Sequence, residues 1–219
     1  LDLVFLHDAA SGGMTDGDKS VSNEQFYARL GQRIVHIIGT RTMSGQLYEV
    51  DTRLRPSGSA GLLVSSMDAF EKYQLNDAWT WEHQALVRAR VVAGCSRSRQ
   101  RFDDIRHKVL CRERTLQGLR DDVLAMRSKM VDHLSDKSEA QFHLKQDPGG
   151  IVDIEFMVQY AVLAWSHQHP PLHTYTDNIR ILESLQQEGL ISEADARALI
   201  EAYIAFRSQS HRASLQEQK

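Results

Sequence analysis

Cysteine is nearly missing from this chain. Its 219 residues hold two, Cys95 and Cys111, which excludes a disulfide framework and leaves no C-x-x-C pair for zinc or redox chemistry. A reducing cytoplasm is the compartment expected of such a chain. An excess of positive charge is missing too: 26 Lys and Arg stand against 29 Asp and Glu, a formal net charge of −3. No overall basic field therefore draws the molecule to nucleic acid or anionic lipid, and neither is expected as a partner. No apolar run approaches the roughly 20 residues that cross a bilayer. Internal repeats and low-complexity tracts are also lacking. What remains is 42% hydrophobic residues, enough for one large core or two small ones.

The elements change character along the chain. Leu1 to Leu6 reads as a buried strand that begins without a turn or cap, so a longer parent protein is expected, with part of its sheet upstream. A Gly, Ser and Asp-rich loop runs from Ala9 to Ser20. Ser22-x-x-Gln25 is a capping box, followed by Phe26, Leu30, Ile34 and Ile37 at helical spacing, with Gly39 as a C′ residue. Gln46 to Leu54 alternates like a strand, with Tyr48, Val50 and Leu54 on one face and Glu49, Asp51 and Arg53 on the other. From about Ser65 helix periodicity takes over: Met67–Tyr73, Trp79–Arg90, then roughly 97–111, 115–135, 150–167, 175–187 and 192–215. The breakers are Asp147-Pro148-Gly149-Gly150, Pro170-Pro171 and Gly189. Strands first and helices after predict an α+β core over residues 1–100 and a helical domain over 101–219.

Several residues could carry chemistry. Asp2 lies in the first strand and Asp51 on the charged face of the later one. Paired carboxylates on adjacent strands suit Mg²⁺, which takes hard oxygen ligands. The other reading makes Asp2 a frayed end and Asp51 a partner of Arg53 or Arg55. Trp79 and Trp81 read as core residues or as a stacking platform. Asp147 to Gly150 leads into a helix carrying Asp153 and Glu155. Free N–H groups at its start, with Lys145 nearby, form an anion site; in the alternative the glycines make only an entry turn and the two acids complement the helix dipole. His167, His169 and His173 surround the Pro-Pro pair but lack a cysteine or a helical H-x-x-x-H, so a solvated loop is expected there rather than zinc. Ser11-Gly12-Gly13 lacks the Lys-Ser/Thr of a P-loop.

Three long blocks are more specific: Leu47-Tyr48-Glu49-Val50-Asp51-Thr52-Arg53-Leu54-Arg55-Pro56-Ser57-Gly58, then Ala78-Trp79-Thr80-Trp81-Glu82-His83-Gln84-Ala85-Leu86-Val87-Arg88-Ala89-Arg90, then Gly149-Gly150-Ile151-Val152-Asp153-Ile154-Glu155-Phe156. In order and spacing they resemble the signature blocks of the bacterial glutamine synthetase adenylyltransferase family. The similarity runs through nearly the whole chain, to Asp177-Asn178-Ile179-Arg180-Ile181-Leu182. It implies a truncated nucleotidyltransferase (polymerase-β-like) mixed sheet followed by a helical bundle, and transfer of AMP from ATP to a tyrosine of glutamine synthetase. It further implies catalytic and Mg²⁺-ligating roles for Asp2 and Asp51, a catalytic Arg53, and nucleotide contacts from Arg55, Ser57, Gly58, Glu82, Arg88 and Lys145. Asp51 or a neighbouring metal would deprotonate the tyrosine. Asp153 and Glu155 would form a second site. Glutamine and the PII signal protein would be effectors. The family's Gly-Ser turn and first Asp would precede Leu1, so this polypeptide by itself is expected to be impaired. The Arg-Pro-Ser-Gly run and the Trp79–Arg90 block resemble the AMP-attaching half of the family rather than the AMP-removing half.

Overall fold

The computed structural model describes residues 1–46, 48–134 and 142–217. Leu47, the first residue of one signature block, lies outside them, as does the last residue of the helix expected over 115–135. Compactness divides the chain into two units, Leu1–Ala78 with Val91–Ile105, and Trp79–Arg90 with Arg106–Lys219. The division is discontinuous. The Trp79–Arg90 block goes with the later helices, whereas sequence order placed it in the first domain.

In the first unit, β1 (Phe5–His7) pairs in parallel with β4 (Val64–Ser66). A two-residue hairpin, β2 (Arg41–Thr42) and β3 (Gly45–Gln46), stands apart from that pair. Helix α1 (Asn23–Gly39) starts where Ser22 accepts the Gln25 N–H at 3.2 Å, one half of the capping box. It ends two residues later than expected, at Gly39, with Thr40 as cap. The helix passes close to the sheet at Gly31, where a Cβ would lie 2.8 Å from Val64. Helix α2 (Met67–Asn76) is capped by Ser66, and its Phe70 packs on Phe102 of α4 (Ser96–Leu110), with ring centroids 6.1 Å apart. Arg101 of α4 bridges Asp8, just past β1, and Asp68 of α2.

The strand expected over Leu1–Leu6 is not a buried one. Leu1 is 50% and Val4 38% exposed, Asp2 is exposed, and regular pairing begins only at Phe5. The strand expected over Gln46–Leu54 also fails to form. Among its described residues, Gln46 ends β3 and beyond it only Asp51 bridges, because the Asp51 carboxylate turns the chain: Oδ1 accepts the Arg53 N–H at 2.8 Å. A side chain that bonds the backbone two residues on competes directly with a sheet ladder.

The second unit is built around α6 (Ile151–Trp165), which touches α3 (Thr80–Val87), α5 (Leu116–Leu134), α7 (Asn178–Gln187) and α8 (Glu193–Glu217). Val158, Val162, Leu163 and Ala164 are essentially inaccessible. A helix this apolar on most sides belongs at the centre of a bundle. Gln84 of α3 donates to Gln159 of α6 at 3.1 Å inside it.

One buried cation orders the ends of these elements. Arg106 donates to the Leu86 and Val87 carbonyls at the end of α3, at 3.1 and 2.6 Å. It also donates to the carbonyl of His173, which closes the 3₁₀ turn Pro170–His173, at 2.5 Å. Buried carbonyls at a helix end need such partners. Replacing Arg106 with Gln leaves several of them unmet, so urea unfolding should show the helical unit losing about 2–3 kcal/mol. An unchanged midpoint would assign those carbonyls other partners.

Candidate functional site

Asp2 and Asp51 are register partners in a parallel bridge. The Leu3 N–H donates to the Asp51 carbonyl at 2.8 Å, and the Asp51 N–H donates to the Leu1 carbonyl at 2.7 Å. Residues paired in this way project to the same face of neighbouring segments, which lie about 5 Å apart. Beyond the bridge the two segments advance unequally. The first moves from Asp2 to Phe5 while its partners move from Asp51 to Val64. The surplus residues form a loop that holds the remainder of the first signature block.

Arg53 sits at the start of that loop and is bound to Asp51. Its Nε donates to both carboxylate oxygens at 3.1 and 2.8 Å, and Nη2 donates to Oδ2 at 2.5 Å. These side-chain bonds, with the backbone N–H of the same residue, hold the Asp51 carboxyl down at about 2, below the ordinary 3.8. Arg53 is raised in turn, through its bond to Asp51. The ion pair is the second of the two readings open from sequence. It does not close the first, because the Arg53 side chain is 77% exposed and a solvent-exposed pair is weak in water. A cation arriving at Asp51 would displace an exposed guanidinium from an already ionised carboxylate. Two carboxylates on one face, one of them kept charged, are a donor set that fits Mg²⁺.

Arg55 does other work. Its guanidinium donates to the Thr52 carbonyl and hydroxyl at 2.8 and 2.9 Å, to the Gly61 carbonyl at 3.1 Å and to the Ser59 carbonyl at 3.2 Å. It staples shut the loop that carries Ser57 and Gly58. Ser57 and Gly58 both adopt positive φ, 60° and 56°, a conformation that costs Ser57 something and Gly58 little. Gly61 closes the loop so tightly that a Cβ would fall 1.9 Å from the Pro56 carbonyl oxygen.

The residues expected from the second unit are largely engaged in structure. Glu82 is buried, 6% exposed, and accepts the Trp79 N–H at 2.9 Å, capping α3. Arg88 forms an ion pair with Glu155, to which the Tyr203 hydroxyl also donates at 3.4 Å. Asp153 pairs with Arg127 and accepts the Gly149 N–H at 2.6 Å. The anion site expected at the start of α6 is not available. The Ile151, Val152 and Asp153 N–H groups already donate to the carbonyls of Leu144, Lys145 and Gly150. Gly150 permits this fold-back, since a Cβ there would lie 2.5 Å from the Leu144 oxygen. Lys145 is exposed. Trp79, read from sequence as core or platform, is 71% exposed.

The carboxyl of Asp51 gives a direct test. A depressed folded value makes a contribution to stability that is present above the ordinary value of 3.8 and lost as pH falls through about 2. Carbon-detected NMR of the Asp51 carboxyl should show a midpoint near 2 in the wild type and a rise toward 3.8 in Arg53→Gln. Equal midpoints in the two proteins would remove Arg53 as the cause.

Comparison with known proteins matches each part of the chain separately. Residues 1–105 match the family model described as glutamate-ammonia ligase adenylyltransferase, and residues 118–219 match that of GlnD PII-uridylyltransferase. Across the whole chain the sequence is 56% identical to a bifunctional glutamine synthetase adenylyltransferase/adenylyl-removing enzyme of Pseudomonas putida, covering 24% of that protein. The enzymes of the same name from Thioalkalivibrio sulfidiphilus and Vibrio parahaemolyticus are 59% and 54% identical over 99% and 98% of the chain, and 22% and 23% of theirs. The chain thus spans about a quarter of the length of these relatives. No helix among the described residues is long and apolar enough to cross a membrane.

Proposed function

We propose, since this chain belongs to the family of bifunctional glutamine synthetase adenylyltransferase/adenylyl-removing enzymes, that its first unit is part of the centre that moves AMP from ATP to a tyrosine of glutamine synthetase. The observation that carries this reading is the register pairing of Asp2 with Asp51. Together they would hold Mg²⁺, which when bound neutralises charge on the triphosphate and acidifies the attacking phenol. In the reaction the tyrosine oxygen attacks the α-phosphorus, the bond to the β-phosphate breaks, pyrophosphate leaves and the phenol proton passes to solvent.

The chain's own residues divide the remaining work. Even at the ordinary carboxylate value of 3.8, to which Asp51 returns once Arg53 leaves it, a carboxylate is a weak base for a phenol whose free pKa is about 10. Asp51 therefore acts first as a ligand, and deprotonation of the tyrosine relies on the bound cation as well. Arg53, once released from Asp51, is an exposed cation next to the pair and suits charge developing on the departing pyrophosphate. Arg55 fixes the loop that presents Ser57 and Gly58. The PII signal protein and glutamine are carried as regulators of the whole enzyme; the PII-uridylyltransferase match of the helical unit supports the first of these.

The test uses the full-length enzyme with Asp2→Asn and Asp51→Asn. Transfer of label from α-labelled ATP to glutamine synthetase should fall at least about 100-fold in each variant, a loss of about 2.7 kcal/mol in transition-state stabilisation. Phosphorolytic release of ADP from modified glutamine synthetase should persist. Lost release with intact transfer would move this unit to the AMP-removing half. Both activities intact would leave it a docking module.

A further inference from the structure

Outside the carboxylate pair, the second unit gathers a different set of donors. His107 and Cys111 lie one helical turn apart at the end of α4, the Cys111 N–H donating to the His107 carbonyl at 2.9 Å. His173 reaches them from the Pro170–His173 turn. His107 Nδ1 and His173 Nε2 are 3.1 Å apart, Cys111 Sγ lies 3.5 Å from both His107 Nδ1 and His173 Nδ1, and one ligand atom from each of the three residues lies within 4.8 Å of the others. Donors on one tetrahedral Zn²⁺ lie roughly 3.3–3.7 Å apart, as bonds of about 2.0 Å to nitrogen and 2.3 Å to sulfur require; the His107–Cys111 pair already has that spacing, and small side-chain rotations bring His173 Nε2 to it.

The surroundings are built to hold such a set. His173 Nδ1 bonds the Pro170 carbonyl, so Nε2, which faces His107 Nδ1, is the nitrogen left for a metal; a bond of this kind on the other nitrogen fixes the tautomer of a ligating histidine. The His173 carbonyl is pinned by buried Arg106, the neighbour of His107. Leu172, within the same turn, is fully buried. A thiolate with two imidazoles favours zinc over magnesium or calcium.

We propose that His107, Cys111 and His173 form a three-ligand Zn²⁺ site, with water in the fourth position, that ties the end of α4 to the Pro170–His173 turn. It is independent of the carboxylate pair and of the transfer reaction. Binding converts the Cys111 thiol to thiolate and releases one proton to solvent for each ion bound.

The test titrates Zn²⁺ and Co²⁺ into the chelator-treated full chain. One equivalent of Zn²⁺ should bind, with a rise in Tm, and Co²⁺ should give a thiolate charge-transfer band in the near ultraviolet. Cys111→Ser should abolish the band, and His107→Ala and His173→Ala should each weaken Zn²⁺ at least about tenfold. Cys95→Ser, which alters the exposed cysteine, should retain both signals. Far-ultraviolet circular dichroism checks that each variant is folded. A band that survives Cys111→Ser, or Zn²⁺ affinity unchanged in all three variants, would overturn the site and leave only a contact between two histidines and a thiol.

Discussion

Two backbone hydrogen bonds, from Leu3 to Asp51 and from Asp51 to Leu1, are the constraint on which the candidate site depends. They place one carboxylate beside another without any side-chain contact having to do so. They also fix where the following loop departs. Asp51 then ends its own extended run by accepting the Arg53 N–H, and Arg55 closes the excursion by bonding three carbonyls within it. The short length of regular β structure in this unit follows from that competition. A carboxylate placed to bind a cation is also placed to bend its own backbone.

The helical unit solves a different problem, how to bury a long apolar α6 among neighbours whose ends carry unpaired carbonyls. Arginines supply the answer repeatedly. Arg106 serves the end of α3. Arg114 donates to the Val109 and Leu110 carbonyls at the end of α4, and burial lowers it to about 10. Arg127 bonds the Gln146 carbonyl and pairs with Asp153. A planar fork with several donors is suited to this task, and lysine could not take it over. The charged residues of the second and third signature blocks largely belong to this scaffolding, with Glu82, Arg88, Asp153 and Glu155 all in internal contacts.

The helices were the part most legible in the sequence. Their apolar spacing follows from a local period, and all the stretches expected from Met67 onward are helical within a few residues of their bounds. The cap at Ser22 was legible because it too is local. The strands were not. Gln46 to Leu54 alternates correctly, yet alternation says nothing about whether a partner exists or whether Asp51 will bond Arg53 first. The family resemblance put Asp2 and Asp51 forward together, while the pattern alone favoured an ion pair for Asp51, and the structure contains both the juxtaposition and the ion pair. The His107, Cys111 and His173 group was invisible to a search for close-spaced motifs, because His173 is brought in by the fold from more than sixty residues away. Only the i, i+4 spacing of His107 and Cys111 was there to be noticed.

The central claim is that Asp2 and Asp51 act as one cation-binding unit. Mn²⁺, which takes the same oxygen ligands as Mg²⁺, broadens the NMR signals of carboxyl groups that bind it. Titrated with ATP into the carboxyl-labelled protein, it should broaden the Asp2 and Asp51 resonances together and at the same concentration. Broadening of only one of them, or of neither while other acidic side chains respond, would contradict the account.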